Sequence, residues 1–285
     1  MKRILVTGAT GYIGNYLVHA LLQAGHTVIA SSANEQHARE QSWFGQVAYV
    51  QLDLSRYDPT ADYFRFFGRP DMMIHLAWEG LPNYRSSFHL DTNLPRHIAF
   101  LTNLLAHGLR DLTVTGTCLE YGMQEGCLYE DQAVAPANPY AQAKDQLRRQ
   151  LQQWQAQHPF VMRWVRLFYL YGKGQNPNSL FSQLDKALAN QDAVFNMSGG
   201  EQVRDYLPVE TAAHYLSLIA LQDRVTGIVN CRSGEPVTVK KMVDDQLARS
   251  GRSISLNLGY YPYPDYEPFR FWGNPSKLKI ILSHE

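Results

Sequence analysis

The sequence predicts an α/β fold in which helices cover both faces of a doubly wound parallel sheet. Through the first 120 residues, short apolar runs alternate with segments whose apolar residues recur at helical spacing. This alternation is typical of parallel strands joined by crossover helices. A glycine-rich turn lies between the first strand and the first helix. With 285 residues, 45% of them hydrophobic, the chain can also bury a large core without disulfides or a structural metal.

The predicted elements follow one another in this order along the chain. Strands are predicted over residues 4–7, 27–30, 46–52, 72–77 and 112–115, and helices over 12–23 and 93–107. After a third long helix at 139–157, we expect a buried strand at 161–170, helices at 179–190 and 209–222, and a short strand at 228–230. The segment 260–272 holds seven aromatic residues and three prolines, which favours an extended loop.

Composition and charge argue against several classes of protein. The chain has 26 Lys and Arg against 26 Asp and Glu, and a net charge of zero argues against a nucleic-acid partner. The longest apolar run is broken by Arg163 and Arg166, so we expect no membrane span. Cys118, Cys127 and Cys231 show no paired spacing, and the ten histidines show no metal-binding spacing. We therefore expect reduced thiols, no catalytic metal and a cytoplasmic protein.

Three glycines mark the predicted cofactor site. Gly8, Gly11 and Gly14 directly follow the first strand and open the first helix, with Tyr12 and Ile13 at its start. In this context glycines permit a tight turn, bring the backbone close to a pyrophosphate and let the helix pack against the strand. The unpaired amides at the helix N-terminus then hold the anion. The sequence thus predicts a dinucleotide-binding domain of the Rossmann type.

A tyrosine and a lysine four residues apart predict the proton-transfer group. Asn138 is a favourable helix cap and Pro139 suits the first helical position. Tyr140 and Lys144 are therefore expected in the opening turns of the helix, on one face. The ammonium of Lys144 should favour the phenolate and lower the pKa of Tyr140 from its usual value of about 10. A phenol tuned in this way suits general acid–base catalysis.

The octapeptide TGATGYIG, with its GxxGxxG spacing, and the YAQAK element resemble one known family. This is the extended branch of the short-chain dehydrogenases/reductases, the NAD-dependent epimerase/dehydratase family, and the resemblance covers nearly the whole chain. It implies that Thr117, four residues before Tyr121-Gly122, bonds the substrate carbonyl, and that Lys144 also bonds the nicotinamide ribose. It further implies cofactor contacts at Asp53, Leu54, Leu76 and Ala77.

The end of the second predicted strand bears on the choice of dinucleotide. In NAD-selective members of the family an acidic residue there bonds the adenosine ribose, but this chain has Ser32. Without a carboxylate to repel it, a 2′-phosphate is tolerated, and Ser31, Ser32 and Arg39 are candidates to bond it. Glu35 lies a few residues later and argues the other way. We expect NADP(H) in preference to NAD(H).

The second half of the chain carries most of the residues that the resemblance assigns to the substrate. The run GGEQVRDYLPVE resembles the family's substrate region, and Arg204 within it is expected to face a pyrophosphate, since a guanidinium suits bidentate contact. The other residues expected to contact the substrate are Trp78, Tyr84, Asn178 and Arg270. The chain looks most like reductases of nucleotide-linked 4-keto-6-deoxyhexoses, such as dTDP-fucose synthases. The resemblance also implies a homodimer formed by the helices that start near 93 and 139.

These observations together predict an NAD(P)H-dependent reductase. We expect it to reduce the C4 ketone of a nucleotide-linked 4-keto-6-deoxyhexose in deoxysugar and surface-polysaccharide biosynthesis, with Tyr140 protonating the alkoxide. Dehydration is not expected, because Cys118-Leu119 stands where 4,6-dehydratases carry Asp-Glu. Two alternatives stay open: a nucleotide-sugar 4-epimerase with tightly bound NAD, and a non-catalytic NAD(P)-binding protein. Residues 1–165 are expected to form the cofactor domain and 166–285 the substrate lobe, with 209–222 returning to the first domain.

Overall fold

The computed structural model describes residues 1–265 and 267–284 of the chain. Its strands are β1 Arg3–Thr7, β2 Thr27–Ser32, β3 Ala48–Gln51, β4 Met72–His75, β5 Asp111–Thr117, β6 Gly126–Leu128, β7 Val161–Leu167, β8 Tyr169–Tyr171, β9 Val194–Asn196, β10 Val203–Pro208, β11 Gly227–Cys231, β12 Pro236–Thr238, β13 Ser255–Asn257 and β14 Phe271–Gly273. Its α-helices are α1 Tyr12–Gln23, α2 Glu35–Arg39, α3 Tyr63–Phe66, α4 Leu94–Ala106, α5 Pro139–Gln157, α6 Leu180–Ala189, α7 Val209–Leu221, α8 Val239–Ser250 and α9 Ser276–Leu282.

Seven of these strands form the central sheet, in the order β11-β7-β5-β4-β1-β2-β3, and every neighbouring pair is parallel. The strand order reverses between β1 and β4. In sheets of this kind, ligands bind at the carboxyl ends of the strands where the order reverses. Thr7 pairs with Ser31 on one side and with His75 on the other, so three strand ends meet there. The predicted α/β fold with a parallel sheet is confirmed.

Alternate residues of the sheet strands face two separate cores. Ile4 and Val6 of β1 face a core shared with α1, α7 and α9, whereas Leu5 faces a core shared with α4 and α5. This alternation follows from the two-residue repeat of a strand. Because α7 packs in the same core as α1, and β11 is the outer strand of the sheet, residues 209–231 lie with the central sheet.

A smaller group of elements has its own core. Strands β8, β10 and β12 form a three-stranded sheet, and β9 pairs with β13. Helices α6 and α8 share with β9 a core that includes Leu184, Phe195 and Val243. Strand β14 pairs with β6 and so joins residues 271–273 to 126–128. None of the helices that the structure describes is long and apolar enough to span a membrane.

The buried strand predicted over 161–170 is divided between two sheets. Strand β7 stays in the central sheet, whereas β8 pairs with β10 of the smaller sheet. Between them Phe168 is buried, and its amide donates to the carbonyl oxygen of Cys231 at 3.1 Å. The residues on both sides of the division, from Leu167 to Tyr171, are all apolar or aromatic, so the pattern does not reveal where the chain changes sheets.

Candidate active site

The glycine turn after β1 has the close packing that a dinucleotide site requires. Gly8 has a φ of +69°, and a Cβ there would lie 2.8 Å from the amide nitrogen of Ala77 and 3.0 Å from the carbonyl carbon of Leu76. A Cβ on Gly14 would lie 2.1 Å from the carbonyl oxygen of Gly8. The amide of Gly11 donates to that same oxygen at 2.9 Å, and no side chain caps α1. The first-turn amides of α1 therefore remain available to an anion such as a pyrophosphate.

The predicted adenosine contacts lie at the ends of β2 and β3, and several already have partners. The hydroxyl of Ser32 bonds that of Tyr49 at 2.9 Å. Arg39 pairs with the carboxylate of Glu35 at 2.5 Å, so a phosphate that approached this guanidinium would also meet a carboxylate. Asp53 accepts from the amide of Ser55 and caps a short turn that begins at Leu54. This geometry does not favour a 2′-phosphate.

The three residues predicted for proton transfer come from β5 and α5. Thr117 ends β5, and Tyr140 and Lys144 lie one turn apart at the start of α5. The Asn138 side chain accepts from the amide of Ala141 at 2.9 Å, which caps the helix as the sequence predicts. Burial raises the pKa of Tyr140 well above its usual value, and the Thr117 hydroxyl, which is near enough to favour the phenolate, offsets only part of this effect.

Lys144 does not act on Tyr140 as the sequence predicts. Its side chain is almost fully buried, its Nζ donates to the carbonyl oxygen of Thr115 at 3.0 Å, and it lies 4.1 Å from the centre of the Trp78 ring. A carbonyl and an aromatic face thus hold the cation, and burial lowers the pKa of Lys144 to about 7. The expected lowering of the Tyr140 pKa is wrong, because burial of the phenol outweighs the groups that favour its ionisation.

Aromatic rings surround the phenol of Tyr140. The ring centres of His89, Tyr84 and Trp78 lie 5.4, 5.5 and 6.1 Å from that of Tyr140. The indole of Trp78 donates to Nδ1 of His89 at 3.1 Å, and Nε2 of His89 donates to the carbonyl of Asn83 at 2.9 Å. Burial lowers the pKa of His89, so a neutral ring satisfies both bonds. His89 lies in a π-helical turn that leads into α4, and no sequence motif pointed to it.

A chain of buried, hydrogen-bonded polar groups ends at a histidine ring that stacks on Trp78. The hydroxyl of Thr7 bonds Nδ1 of His75 at 2.7 Å, and Nε2 of His75 bonds Nδ1 of His97 at 2.8 Å. The ring of His97 stacks on Trp78 with centres 4.6 Å apart. Burial lowers the pKa of His75 to about 3 and that of His97 well below its usual range, so both rings are neutral. These contacts hold the indole against Lys144.

Glu120 is a buried carboxylate that the sequence analysis missed. It accepts from the backbone amide of Thr117 at 2.9 Å, from the indole of Trp164 at 2.9 Å and from Nε of Arg166 at 2.8 Å. These three hydrogen bonds fix the turn that carries Thr117 and occupy the carboxylate of Glu120. The signal was present in the sequence, since Thr117 and Glu120 have the spacing of a capping box. Cys118 is buried beside them, and burial raises the pKa of its thiol.

Two of the substrate residues predicted in the second half, Asn178 and Arg204, each border one of two neighbouring cavities, whereas Arg270 is not among their described lining residues. A cavity of about 680 Å³ is lined by Asn178, Asn196, Ser198 and Tyr261, among others. A smaller one of about 340 Å³ is lined by Glu125, Gln202, Arg204 and Glu267, among others. Tyr263 and Pro264 border both cavities, so the two are adjacent.

Arg204 is held more firmly than the sequence analysis expects. One amino group of its guanidinium donates to the carbonyl oxygens of Val203 and Phe269, at 2.9 Å each. The other amino group lies 3.4 Å from the carboxylate of Glu267, whose pKa burial raises to about 7. Arg270, the second arginine expected to contact the substrate, is exposed, and its guanidinium lies over the Phe269 ring. Sequence reasoning missed Glu267, one of two acids in the aromatic loop.

Comparisons with known proteins agree with this geometry. A sequence model of the NAD-dependent epimerase/dehydratase family matches residues 4–231. A dTDP-6-deoxy-L-talose 4-dehydrogenase (NAD(+)) of Aggregatibacter actinomycetemcomitans is 28% identical, over 95% of this chain and 98% of the relative. A UDP-glucose 4-epimerase of Halalkalibacterium halodurans is 25% identical, over 99% and 90%. The solved UDP-glucuronic acid 4-epimerase from Bacillus cereus, with UDP-glucuronic acid and NAD, is 22% identical, with a TM-score of 0.84 over 99% and 93% of the chains.

These relatives correct the expected cofactor. The Aggregatibacter enzyme is named for NAD(+), and the Bacillus cereus structure contains NAD. The expected preference for NADP(H) over NAD(H) is therefore wrong. The physical reason lies in the pairing of Arg39 with Glu35, which places a carboxylate beside the cation that was assigned to the 2′-phosphate. The relatives named here are also a 6-deoxytalose dehydrogenase and 4-epimerases rather than dTDP-fucose synthases.

Proposed function

The chain belongs to the NAD-dependent epimerase/dehydratase family, and from that premise we propose that it interconverts a C4 hydroxyl and a C4 ketone on a nucleotide-linked 6-deoxyhexose, with NAD(H) as the cofactor. The observation that carries the proposal is that the buried Lys144 and Tyr140 both lie against the Trp78 ring, with the Thr117 hydroxyl near enough to the Tyr140 phenol to affect its pKa. These side chains come from β5 and α5 and meet near the carboxyl ends of the central strands.

The Thr117 hydroxyl and the Tyr140 phenol suit the two roles that reaction at a sugar C4 oxygen requires. A nicotinamide dinucleotide, when bound on the glycine turn, supplies or accepts the hydride. The Thr117 hydroxyl would hold the C4 oxygen by a hydrogen bond, and the phenol would pass its proton to that oxygen or take one from it. Burial keeps the phenol protonated near neutral pH, which suits donation in the direction of reduction. The surrounding rings of Trp78, Tyr84 and His89 limit access of water.

The surroundings of Thr117 argue against dehydration. Cys118 and Leu119 follow it, and both lack an acid–base group suited to expelling water. The carboxylate of Glu120, the next residue, already accepts hydrogen bonds from Thr117, Trp164 and Arg166. Simple oxidation or reduction at C4 needs neither a second acid nor a second base, so the site is sufficient for it.

The larger cavity and one relative support the nucleotide-sugar substrate. Asn178, Asn196 and Ser198 offer polar groups and Tyr261 an aromatic face, which together suit a nucleoside. The Aggregatibacter relative is named as a dehydrogenase of the C4 position of a dTDP-linked 6-deoxyhexose. That reaction in reverse is the reduction that the sequence predicts.

The experiment is a panel of dTDP-, UDP- and GDP-linked 6-deoxyhexoses incubated with NAD⁺ while NADH absorbance is followed. We expect NADH to form in proportion to one of these sugars, and the matching 4-keto sugar to consume NADH. The alternative, a 4-epimerase, is favoured by the Halalkalibacterium relative and predicts interconversion of UDP-hexoses without release of NADH. A chain that bound NAD but turned over neither class of sugar would overturn both readings and leave the non-catalytic binding protein.

We also propose a homodimer through α4 and α5. The two helices share one core, and α5 carries an outward row that includes Arg149 and Gln152. Sedimentation equilibrium should give twice the mass of the 32.5 kDa chain. A monomer at micromolar concentration would contradict this proposal without affecting the catalytic one.

A further inference from the structure

The ring of His89 connects two separate parts of the candidate site. His89 is fully buried in the π-helical turn that precedes α4. Its Nδ1 accepts from the indole N–H of Trp78 at 3.1 Å, and its Nε2 donates to the carbonyl oxygen of Asn83 at 2.9 Å. One tautomer of a neutral imidazole satisfies both bonds. Because both ring nitrogens are bonded, the orientation of the ring is fixed, and the groups bonded to it are fixed in turn.

The first of these bonds bears on Lys144. The Nζ of Lys144 lies 4.1 Å from the centre of the Trp78 ring, and Trp78 also contacts the ring of Tyr140. Trp78 stacks on His97 with an angle of 18° between the two planes. Such stacking fixes the plane of the indole but not its rotation within that plane, whereas a hydrogen bond from the indole nitrogen is directional. The bond to His89 therefore fixes which part of the indole lies against Lys144.

The second bond bears on the segment 79–88, which carries Tyr84. The carbonyl oxygen of Tyr84 accepts from the backbone amide of Tyr140 at 3.1 Å, and their ring centres are 5.5 Å apart. Gly80 has a φ of +83°, and a Cβ there would lie 3.2 Å from Cε1 of His89. The segment thus packs directly on the His89 ring. His89 contacts both the indole and the segment that lies against Tyr140.

We infer that His89 is a positioning residue, whose bond to the Trp78 indole sets the place of the Lys144 ammonium in the site. The inference rests on the proposed function, in which Tyr140 and Lys144 serve a reaction at the sugar C4 oxygen. A fixed charge stabilises a transition state only where it is correctly placed before the reaction begins. His89 acts through Trp78 and Lys144, so its loss should lower the rate of turnover more than the affinity for the sugar.

Two substitutions separate the two bonds of His89. In His89→Asn the amide oxygen can take the place of Nδ1 and still accept from Trp78, but the bond to Asn83 is lost. In His89→Gln the longer amide reaches the place of Nε2 and can still donate to Asn83, but the bond to Trp78 is lost. The control His158→Gln removes an exposed ring at the far end of α5.

The first measurement is the NMR shift of the Lys144 side chain, assigned by its loss in Lys144→Met. An indole ring current moves the protons that lie over its face upfield. The Hε protons of Lys144 should therefore lie upfield of those of exposed lysines in wild type, in His89→Asn and in the control. In His89→Gln they should return at least halfway to the position of the exposed lysines.

The second measurement is turnover of the sugar that the panel identifies. In His89→Gln we expect kcat to fall about 10-fold, which is the effect of one lost hydrogen bond, while KM for the sugar stays within about 3-fold. His89→Asn should stay within about 3-fold of wild type in both constants, because the bond to Trp78 is kept. The control should match wild type.

Unchanged Lys144 shifts in His89→Gln, or equal losses of turnover in His89→Asn and His89→Gln, would overturn the inference and leave the proposed function in place. Absence of turnover with every sugar would overturn the proposed function, and the NMR shifts would still decide where His89 places Lys144. If His89→Gln does not fold, ¹⁵N NMR of wild type decides. A neutral His89 with its proton on Nε2 near neutral pH would support the inference. A proton on Nδ1 would overturn it, because such a ring cannot accept from the Trp78 indole.

Discussion

Replacing Lys144 by methionine should make the protein more stable near neutral pH and abolish its activity. Methionine has a similar length and no charge, so the variant removes a buried ammonium without opening a large cavity. Burial lowers the pKa of Lys144 from 10.5 to about 7. The unfolded chain therefore binds this proton more tightly than the folded one, and wild type gains stability as the pH rises between these values.

The size of the effect follows from the two pKa values. At pH 7 the buried lysine costs the fold about 4 kcal/mol relative to an uncharged group, and at pH 9 about 2 kcal/mol. The lost contacts of Nζ with Thr115 and Trp78 offset part of this gain in the variant, by about 1–3 kcal/mol. That offset does not depend strongly on pH. From pH 7 to pH 9, the free energy of unfolding of wild type should thus rise by about 2 kcal/mol relative to that of Lys144→Met.

The assay is urea unfolding of both proteins at pH 7, 8 and 9, analysed as the difference in free energy of unfolding. Lys279→Met, which removes an exposed lysine of α9, is the matched control and should show no such slope. A difference between wild type and Lys144→Met that stays constant across this range would refute the reasoning. So would a difference that moves in favour of the variant as the pH rises.

Three further predictions concern the phenol, the glycine turn and the dinucleotide. Tyr140→Phe keeps the ring packing but removes the proton donor, so turnover should fall about 10²–10⁴-fold with little change in Tm; activity within threefold of wild type would contradict this. Gly14→Ala places a Cβ 2.1 Å from the carbonyl oxygen of Gly8 and should weaken NAD⁺ binding at least about 10-fold. The control is Gly45→Ala, where a Cβ would contact no other atom, and it should leave NAD⁺ binding unchanged. Glu35→Gln removes the carboxylate that pairs with Arg39 and should raise the use of NADP⁺ relative to NAD⁺ about fivefold, whereas the control Glu40→Gln should not change it. An unchanged preference in Glu35→Gln would contradict the view that Glu35 disfavours the 2′-phosphate.

The parts of the site that depend on local structure could be predicted from the sequence. The cap at Asn138 and the spacing of Tyr140 and Lys144 follow from the geometry of a single helix. The glycine turn likewise depends on one strand, one turn and one helix. The dinucleotide preference was wrong for a local reason, because it gave too little weight to Glu35, which pairs with Arg39 one turn away in α2. The expected lowering of the Tyr140 pKa was wrong for a different reason, because burial by distant segments has the largest effect on that pKa.

Residues 12–23 and 139–157 form helices with the predicted bounds because the signals lie in neighbouring residues. These signals are the hydrophobic period in both helices and, in the second, the Asn138 cap and Pro139. The protonation states of the site residues, in contrast, do not follow from neighbouring residues. Lys144 has a lowered pKa because packing buries it, and Glu267 pairs with Arg204 although the two are 63 residues apart along the chain. Burial and long-range charge contacts arise only when the two sheets and their helices pack together, so no local pattern contains them. The sequence by itself thus determined the fold and the identity of the reacting groups. The tertiary packing determined the protonation states of those groups and the residues that surround them.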